Sequence, residues 1–459
     1  MIQTIRKAWG IPELRKKIVF TLLILLIFRI GNAIPVPYVD TDLLGAYLDQ
    51  MSTTILGLYD VMSGGAFSAA TVFALSIQPY INASIIIQLL TVAIPALERL
   101  ARDGGEEGRK KIQSITRYST VAIALLQGFG YYMLMKNNNI LTDTSIWAAL
   151  VIIVSFVAGS SFVMWMGEQV TEFGIGNGIS IILFGGILSR IPSMVSGAIT
   201  GLKIHSGIQA GTLTVDYVME NMGYSTEEAA QRYLNQAISP VGLVLLLIGV
   251  LALIVVIVIV NDAERRIPVQ YAKRQVGRKM YGGQSTNLPM KVNMSGVLPI
   301  IFAQSIASLP ATIAAFISTQ PEEGTFSYAL LNAIDTKSIL YMVVYFIMII
   351  GFSYFYATIQ FNPVEISNNL KKQGGFIPGF RPGKPTSDFI ARVLSKITLF
   401  GAIYLGIVAI CPLVVGKVVQ NSAMSIGGTS IIIIVGVALE TVKALESQML
   451  MRQYKGFLE

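Results

Sequence analysis

A single cysteine, Cys411, and a single histidine, His205, stand in the 459 residues. One thiol cannot close an intramolecular disulfide, and one imidazole beside it makes neither a His/Cys metal cluster nor a Cys–His nucleophile pair. No P-loop pattern occurs, so nothing points to nucleotide hydrolysis by the chain itself. Charge is scarce as well: 13% of the residues are Asp, Glu, Lys or Arg, against about 25% in a soluble protein. Hydrophobic residues make up 53%. That balance describes a polytopic membrane protein, in which lipid takes up the apolar surface.

Apolar windows long enough to cross a bilayer fall near residues 19–37, 76–97, 118–135, 146–166, 179–198, 241–260, 296–317, 339–359, 397–416 and 425–444. The central part of none of them carries an Asp or Glu. An ion-coupled transporter normally needs an intramembrane acid, and an intramembrane hydrolase needs an Asp, Glu or His constellation. The inverted-repeat transporter of a small solute is therefore the weaker alternative, and the hydrolase lacks its parts. Arg29 is the one clear intramembrane charge. Near the end of its span it can snorkel or face a neighbouring helix. The first window follows Arg6, Lys7, Arg15, Lys16 and Lys17. Because many spans come after it, it reads as a first anchor rather than a cleaved leader.

The net charge of +8 is unevenly spread. Lys and Arg cluster in the N-terminal segment, between Arg99 and Arg117, in a long loop at 262–295 and in another at 360–388, and alternate with loops poor in them. The positive-inside rule puts those basic loops and both termini in the cytoplasm. The loop from Gly167 to Gly178 has Glu168 and Glu172 and no basic residue, but acids count little in that rule.

Residues 57–75 are too short and small-sided to span, and read as a half-helix dipping in from the outer side. Backbone at that depth needs a protein-lined or watery cavity. Pro79, Ile81 and Ala83 in the second span are matched by Pro299, Ile301 and Ala303 in the seventh. Five spans precede the long outer loop at 199–240 and five follow it, an odd number that would invert the second half relative to the first. Chance resemblance between two proline-bearing helices is the alternative. The central residues Ile77, Ile81, Ile179, Leu183, Ile301 and Ile433 are aliphatic. They are either ordinary packing or a constriction that excludes water and ions by dewetting.

Several stretches together decide between these readings. They are FRIG (Phe28 to Gly31) followed by Pro35-Val36-Pro37, GGAFSAATVFALSIQPYINASIIIQLL (Gly64 to Leu90), GIGNGIS (Gly174 to Ser180) and ERRIPVQYAKRQVGRK (Glu264 to Lys279). LPMKVNMSGVLPIIFAQSI (Leu288 to Ile306), FIPGFRPGKPT (Phe376 to Thr386) and GGTSIIIIV (Gly427 to Val435) complete the set. In this order, over nearly the full length, the chain resembles the SecY family, the central subunits of the bacterial Sec protein-translocation channel. GIGNG follows no strand and is no nucleotide site.

The resemblance implies an all-α polytopic membrane protein in which about ten transmembrane helices form two inverted five-helix halves, a clamshell around a central pore. Residues 1–198 form the N-terminal half, 199–240 an external hinge loop and 241–459 the C-terminal half. The pore ring falls on Ile77, Ile81, Ile179, Leu183, Ile301 and Ile433. The plug falls on a half-helix at about 58–72, with Leu58, Ser63, Gly64, Gly65 and Phe67. Its small residues promise a thin body, few anchoring contacts and cheap displacement, and Pro79 is expected to bend the wall beside it. The lateral gate takes Asn82, Gln88, Gln304 and Leu309; its three amides could also be ordinary helix–helix glue. Docking of the ribosome and of the SecA motor ATPase falls on Arg265, Arg266, Lys273, Arg274, Arg278, Lys279 and Arg381. The resemblance further implies SecE and SecG subunits, signal sequences and nascent polypeptides as cargo, contact with membrane lipids, and a place in the bacterial plasma membrane. It implies no enzyme activity, cofactor or metal.

Overall fold

The computed structural model describes residues 2–50, 55–102, 104–222, 227–271, 274–276, 279–281, 285–294, 296–317, 338–419 and 427–455. Lys273 and Arg278 lie outside them.

The first half runs α1 (Ile2–Trp9), α2 (Pro12–Gly31), α3 (Thr41–Gln50), α4 (Ile55–Ser63), α5 (Gln78–Ala93), α6 (Pro95–Arg102), α7 (Gly105–Asn137), α8 (Ile146–Phe173), α9 (Gly178–Leu188) and α10 (Ile191–Gln209). Two short helices, α11 (Val215–Met222) and α12 (Glu227–Leu234), lead to α13 (Pro240–Asp262). Then come four short strands, α14 (Leu298–Ile317), α15 (Ile339–Gln360), α16 (Pro363–Lys372), α17 (Lys384–Val419) and α18 (Gly427–Lys455). Each of the ten expected windows overlaps a helix. By length and hydropathy, five described helices or continuous helix pairs qualify as spans outright, Gly178–Gln209 and Ile339–Lys372 among them; Gln78–Ala93 with Pro95–Ala101, bent by 105°, makes a sixth.

The helix starts follow from local chemistry. Ser145, Asn177, Ser239, Ser338 and Asn362 accept backbone N–H groups at the heads of α8, α9, α13, α15 and α16, which satisfies donors that have no partner within the helix. Pro79 and Pro299 each occupy the second position of their helix, α5 and α14. In a first turn proline's missing N–H costs nothing and its fixed φ is already helical. The expected bend at Pro79 is therefore absent, and the wall turns instead between Ala93 and Pro95. The shared proline start also puts Ile81 and Ile301 at equivalent positions of two helices, one from each half.

Within the first half α5 packs on α7, α7 on α8 and α8 on α9; within the second α14 packs on α15, α15 on α17, and both α13 and α17 on α18. The halves meet where α14 lies against α4, α5 and α7, and where α18 lies against α1 and α9. The largest apolar cluster lies between them, drawing Ile77, Ile81 and Leu183 from one half and Ile301, Ile433 and Tyr345 from the other. Facing away from it, α13 exposes Val241, Leu245, Leu251 and Ile259, as a lipid-facing helix should.

Strands are the addition to the expected helical fold. The basic loop after α13 is β1 (Glu264–Tyr271), β2 (Arg274–Val276), β3 (Lys279–Tyr281) and β4 (Ser285–Lys291). Strand β1 lies antiparallel to β4, with Ile267 opposite Leu288, and to β5 (Gly375–Phe376), with Gln270 opposite Phe376. Ile267 and Val269 point into a cluster with Met290, Ile377 and Ile390, while Arg265 and Arg266 face out. The period-two alternation is the strand signature. Helix α10 runs to Gln209, beyond residue 198 where the sequence closes the first half. Thr200, Lys203, His205 and Ser206 interrupt the apolar run without breaking the helix.

Candidate functional site

The waist between the halves is built from the aliphatic residues singled out in the sequence. Ile77, Ile81, Leu183, Ile301 and Ile433 are all at most 3% exposed and share one cluster, with Ile179 half-buried against it. Gly167 of α8 makes the close approach possible: a Cβ there would lie 3.3 Å from Ile77 Cδ1 and 3.7 Å from Ile179 Cγ1. No group of three or more His, Cys, Asp or Glu side chains suited to a metal occurs among the described residues.

The segment expected to serve as the plug, or stopper, departs from its expected half-helix form. The helix is α4, ending at Ser63; residues 64–77 are a chain of turns. Gly64 and Gly65 take φ of +74° and +88°, and Ala70 and Ser76 are also left-handed. Left-handed residues end a helix, and glycine adopts them without strain. Small residues here serve turning and close packing: a Cβ on Gly64 would lie 2.8 Å from Gly186 O.

The expectation of few anchoring contacts is overturned. Phe67 is 1% exposed and stacks on Tyr131 of α7 at 4.3 Å. The Tyr131 hydroxyl donates to Phe67 O, and Phe67 N donates to Ser63 Oγ at 3.0 Å. Asn32 Nδ2 donates to Ser63 O at 3.0 Å and Arg29 Nη1 to Gly64 O at 3.2 Å. Val36 N and Ala70 O, and Val72 N and Ile34 O, pair the segment with the chain leaving α2. Asp60 of α4 forms an ion pair with Arg190, at the junction of α9 and α10, and its Oδ1 accepts from Ser68 N at 2.7 Å. Burying one phenylalanine contributes about 1.5–3 kcal/mol and each net hydrogen bond about 0.5–1.5 kcal/mol, so displacement costs several kcal/mol. The side chain of Leu58 lies outside the described residues.

Across the line where α5 and α7 meet α14, polar groups collect. Asn82 is 3% exposed, and neither its amide nitrogen nor its oxygen has a hydrogen-bond partner among the described residues. Gln78 Nε2 donates to Met62 Sδ at 3.0 Å, and Gln304 Nε2 reaches the same sulfur at 4.0 Å. The oxygens of both amides are buried and unpaired among the described residues. Met62 of the stopper helix thus sits between a glutamine of each half. Gln88 is tied to the opposite half, because the Tyr356 hydroxyl of α15 donates to its Oε1. Leu309 is partly buried on α14. Buried amides left without partners cost roughly 1–3 kcal/mol each, so this line is held less well than a fully paired or fully apolar contact would be.

Asp60, Met62, Gln78, Tyr131, Arg190 and Tyr356 were not legible as site residues from sequence. A sequence gives no sign that Asp60 meets an arginine 130 residues later.

Of the basic residues expected to dock partners, Arg265, Arg266 and Arg381 are exposed on the sheet-bearing face. Arg274 and Lys279 lie on β2 and β3. Arg381 follows Gly379, at φ +87°, and Thr386 Oγ1 donates to its carbonyl at 2.8 Å. Phe380 stacks on Phe389 of α17 at 4.2 Å, so the turn is pinned to the head of that helix. Behind this face a cavity of about 300 Å³ is lined by Asn177, Asn261, Lys291, Asn293, Glu440 and Lys443, among others.

Residues 71–442 match the sequence profile of the SecY family. The protein translocase subunit SecY of Streptomyces scabiei is 42% identical over 471 aligned residues, covering all of both chains. That of Halalkalibacterium halodurans is 40% identical over 466, again covering all of both. Among solved structures the fold is similar to one described as "The structure of a protein conducting channel", with a TM-score of 0.61 at 16% identity over 95% of this chain and 92% of that one. It is also similar to Sec61 in a canine ribosome–channel complex, with a TM-score of 0.57 at 15% identity over 95% and 92%.

Proposed function

The chain belongs to the SecY family and is a protein-conducting membrane channel, not an enzyme; from that premise we propose how its own residues seal, open and dock. The apolar ring of Ile77, Ile81, Ile179, Leu183, Ile301 and Ile433 is the waist through which an unfolded chain passes. With no charge or hydrogen-bonding group it binds no particular cargo, and closed upon itself it leaves no room for water or ions. The turns after α4, with Phe67 and Met62, stop it from the outer side. The single observation that carries this reading is the position of the ring: residues from both halves, buried in one cluster, with the stopper segment packed on it.

Asn82, Gln78, Gln88 and Gln304 mark the lateral gate. A signal sequence of about 7–15 apolar residues, each gaining about 0.3–0.6 kcal/mol in the bilayer, supplies on the order of 2–9 kcal/mol. That matches the several kcal/mol that hold the stopper, so opening is a threshold decided by hydrophobicity. Segments that pass it partition into lipid, and charged segments stay in the aqueous path.

The sheet joining the two basic loops is the cytoplasmic docking face for a translating ribosome and the SecA motor. Arg265, Arg266 and Arg381 are placed to meet phosphate or acidic side chains, an attraction that weakens with salt. Both termini lie on the same side, in a bacterial plasma membrane, with SecE and SecG as companion subunits. In liposomes holding the chain, the small SecE-type partner, SecA and ATP, a secretory precursor should become protected from external protease. A precursor digested under every condition while a small solute accumulates would return the transporter reading.

A further inference from the structure

Asp60 is the only charged side chain between residues 55 and 77, the whole of the stopper helix and its turns. Its carboxylate is 9% exposed and uses both oxygens: Oδ2 meets Arg190 and Oδ1 accepts from Ser68 N. The ion pair therefore clamps the helix and the turn after it at one point. Arg190 has no local task for its side chain. It precedes α10 without capping it, and 28% of the side chain remains exposed. Ser189 beside it donates from Oγ to Gly186 O at 2.7 Å, and Arg29 reaches Ser189 Oγ at 3.4 Å from α2. The wall around the contact is thus fixed, and the stopper is the part that moves.

We infer that the Asp60–Arg190 pair is the catch that sets how apolar a signal segment must be before the channel opens. The inference rests on the channel reading above. An arriving apolar segment can replace the packing that Phe67 and Met62 give up, because one greasy contact exchanges for another. It cannot replace a counter-ion. Separating the pair leaves a carboxylate and a guanidinium each without its partner in a confined site, a cost no apolar contact returns. Apolar contacts hold the stopper in place, and the charge pair makes its release selective.

The test uses the reconstituted complex of chain, SecE-type partner and motor, with two precursors. One has an intact signal; the other has two signal leucines replaced by alanine. The readout is the ratio of protease-protected defective precursor to protected intact precursor. Asp60→Asn and Arg190→Gln should each raise that ratio about tenfold, the effect of roughly 1.4 kcal/mol. Subunit abundance and transport of the intact precursor should not change. Because the two residues act as one unit, the double variant should be no more permissive than either single. An unchanged ratio in well-inserted variants, relaxation by only one of the two, or a double variant showing the product of both effects would each overturn the catch. If Asp60→Asn fails to insert, Arg190→Gln and Arg190→Lys decide: lysine keeps the charge and should keep most of the stringency. A lysine variant as permissive as glutamine sinks the idea. Failure of the unaltered chain to move the intact precursor would count against the channel reading itself.

Discussion

Glu440 sits where α18 leaves the apolar layer, with its carboxylate against Gly296: a Cβ on that glycine would lie 2.4 Å from Glu440 Oε1. Gly296 itself holds φ at +64°, so Gly296→Ala should destabilise by about 1 kcal/mol or more, seen as a lower thermal midpoint of the purified complex. An unchanged midpoint would show that this turn and the carboxylate both yield without cost. Single residues were the least legible scale. Arg29 was narrowed to snorkelling or facing a neighbour, but its partner is the carbonyl of Gly64, and a backbone carbonyl has no signature in a sequence. Asn82 was readable as a polar group in an apolar wall; that both ends of its amide go unpaired was not.

Elements were read more securely where hydropathy alone defines them. Each expected span overlaps a helix because apolar length dictates that outcome in lipid. Shorter elements were missed where two signals compete. In β1 the alternation of Ile267 and Val269 is overlaid by the charge of Arg265 and Arg266, and the loop reads as basic before it reads as a strand. The run Gly64-Gly65-Ala66 reads as part of a slender helix, yet two left-handed glycines make it a turn. Helix packing against that turn is equally strict. A Cβ at Gly159 of α8 would lie 1.9 Å from Val72 O, a backbone atom in the outlet of the stopper that cannot swing aside. Gly159→Ala should destabilise by about 1–3 kcal/mol or more through overpacking, seen as a lower thermal midpoint and reduced yield of membrane-embedded protein. Wild-type stability would mean that α8 shifts freely against the stopper.

At the scale of the molecule, the inverted halves were legible from a short repeat and an odd count of spans, and the common proline start of α5 and α14 gives that repeat a physical meaning. How tightly the stopper is held was not legible, since its tethers come from α2, α7 and the α9–α10 junction, far apart in the chain. In the proposed ring, sealing belongs to all six residues together, so one polar member should spoil it. Ile433→Asn places an amide in the 1%-exposed heart of the cluster, where it gives water a foothold. The resting channel should leak small ions several-fold faster and accept precursors with defective signals. Unaltered selectivity and conductance would remove Ile433 from the ring.

The pairing of β5 with β1 fastens two loops that are about a hundred residues apart in the chain. Through β1 and β4 the sheet is continuous with α13 and α14, and through β5 with α16 and α17. A load applied to either loop is consequently shared by α13, α14, α16 and α17, so a partner pressing on one loop would move a single stiff handle rather than a lone hairpin.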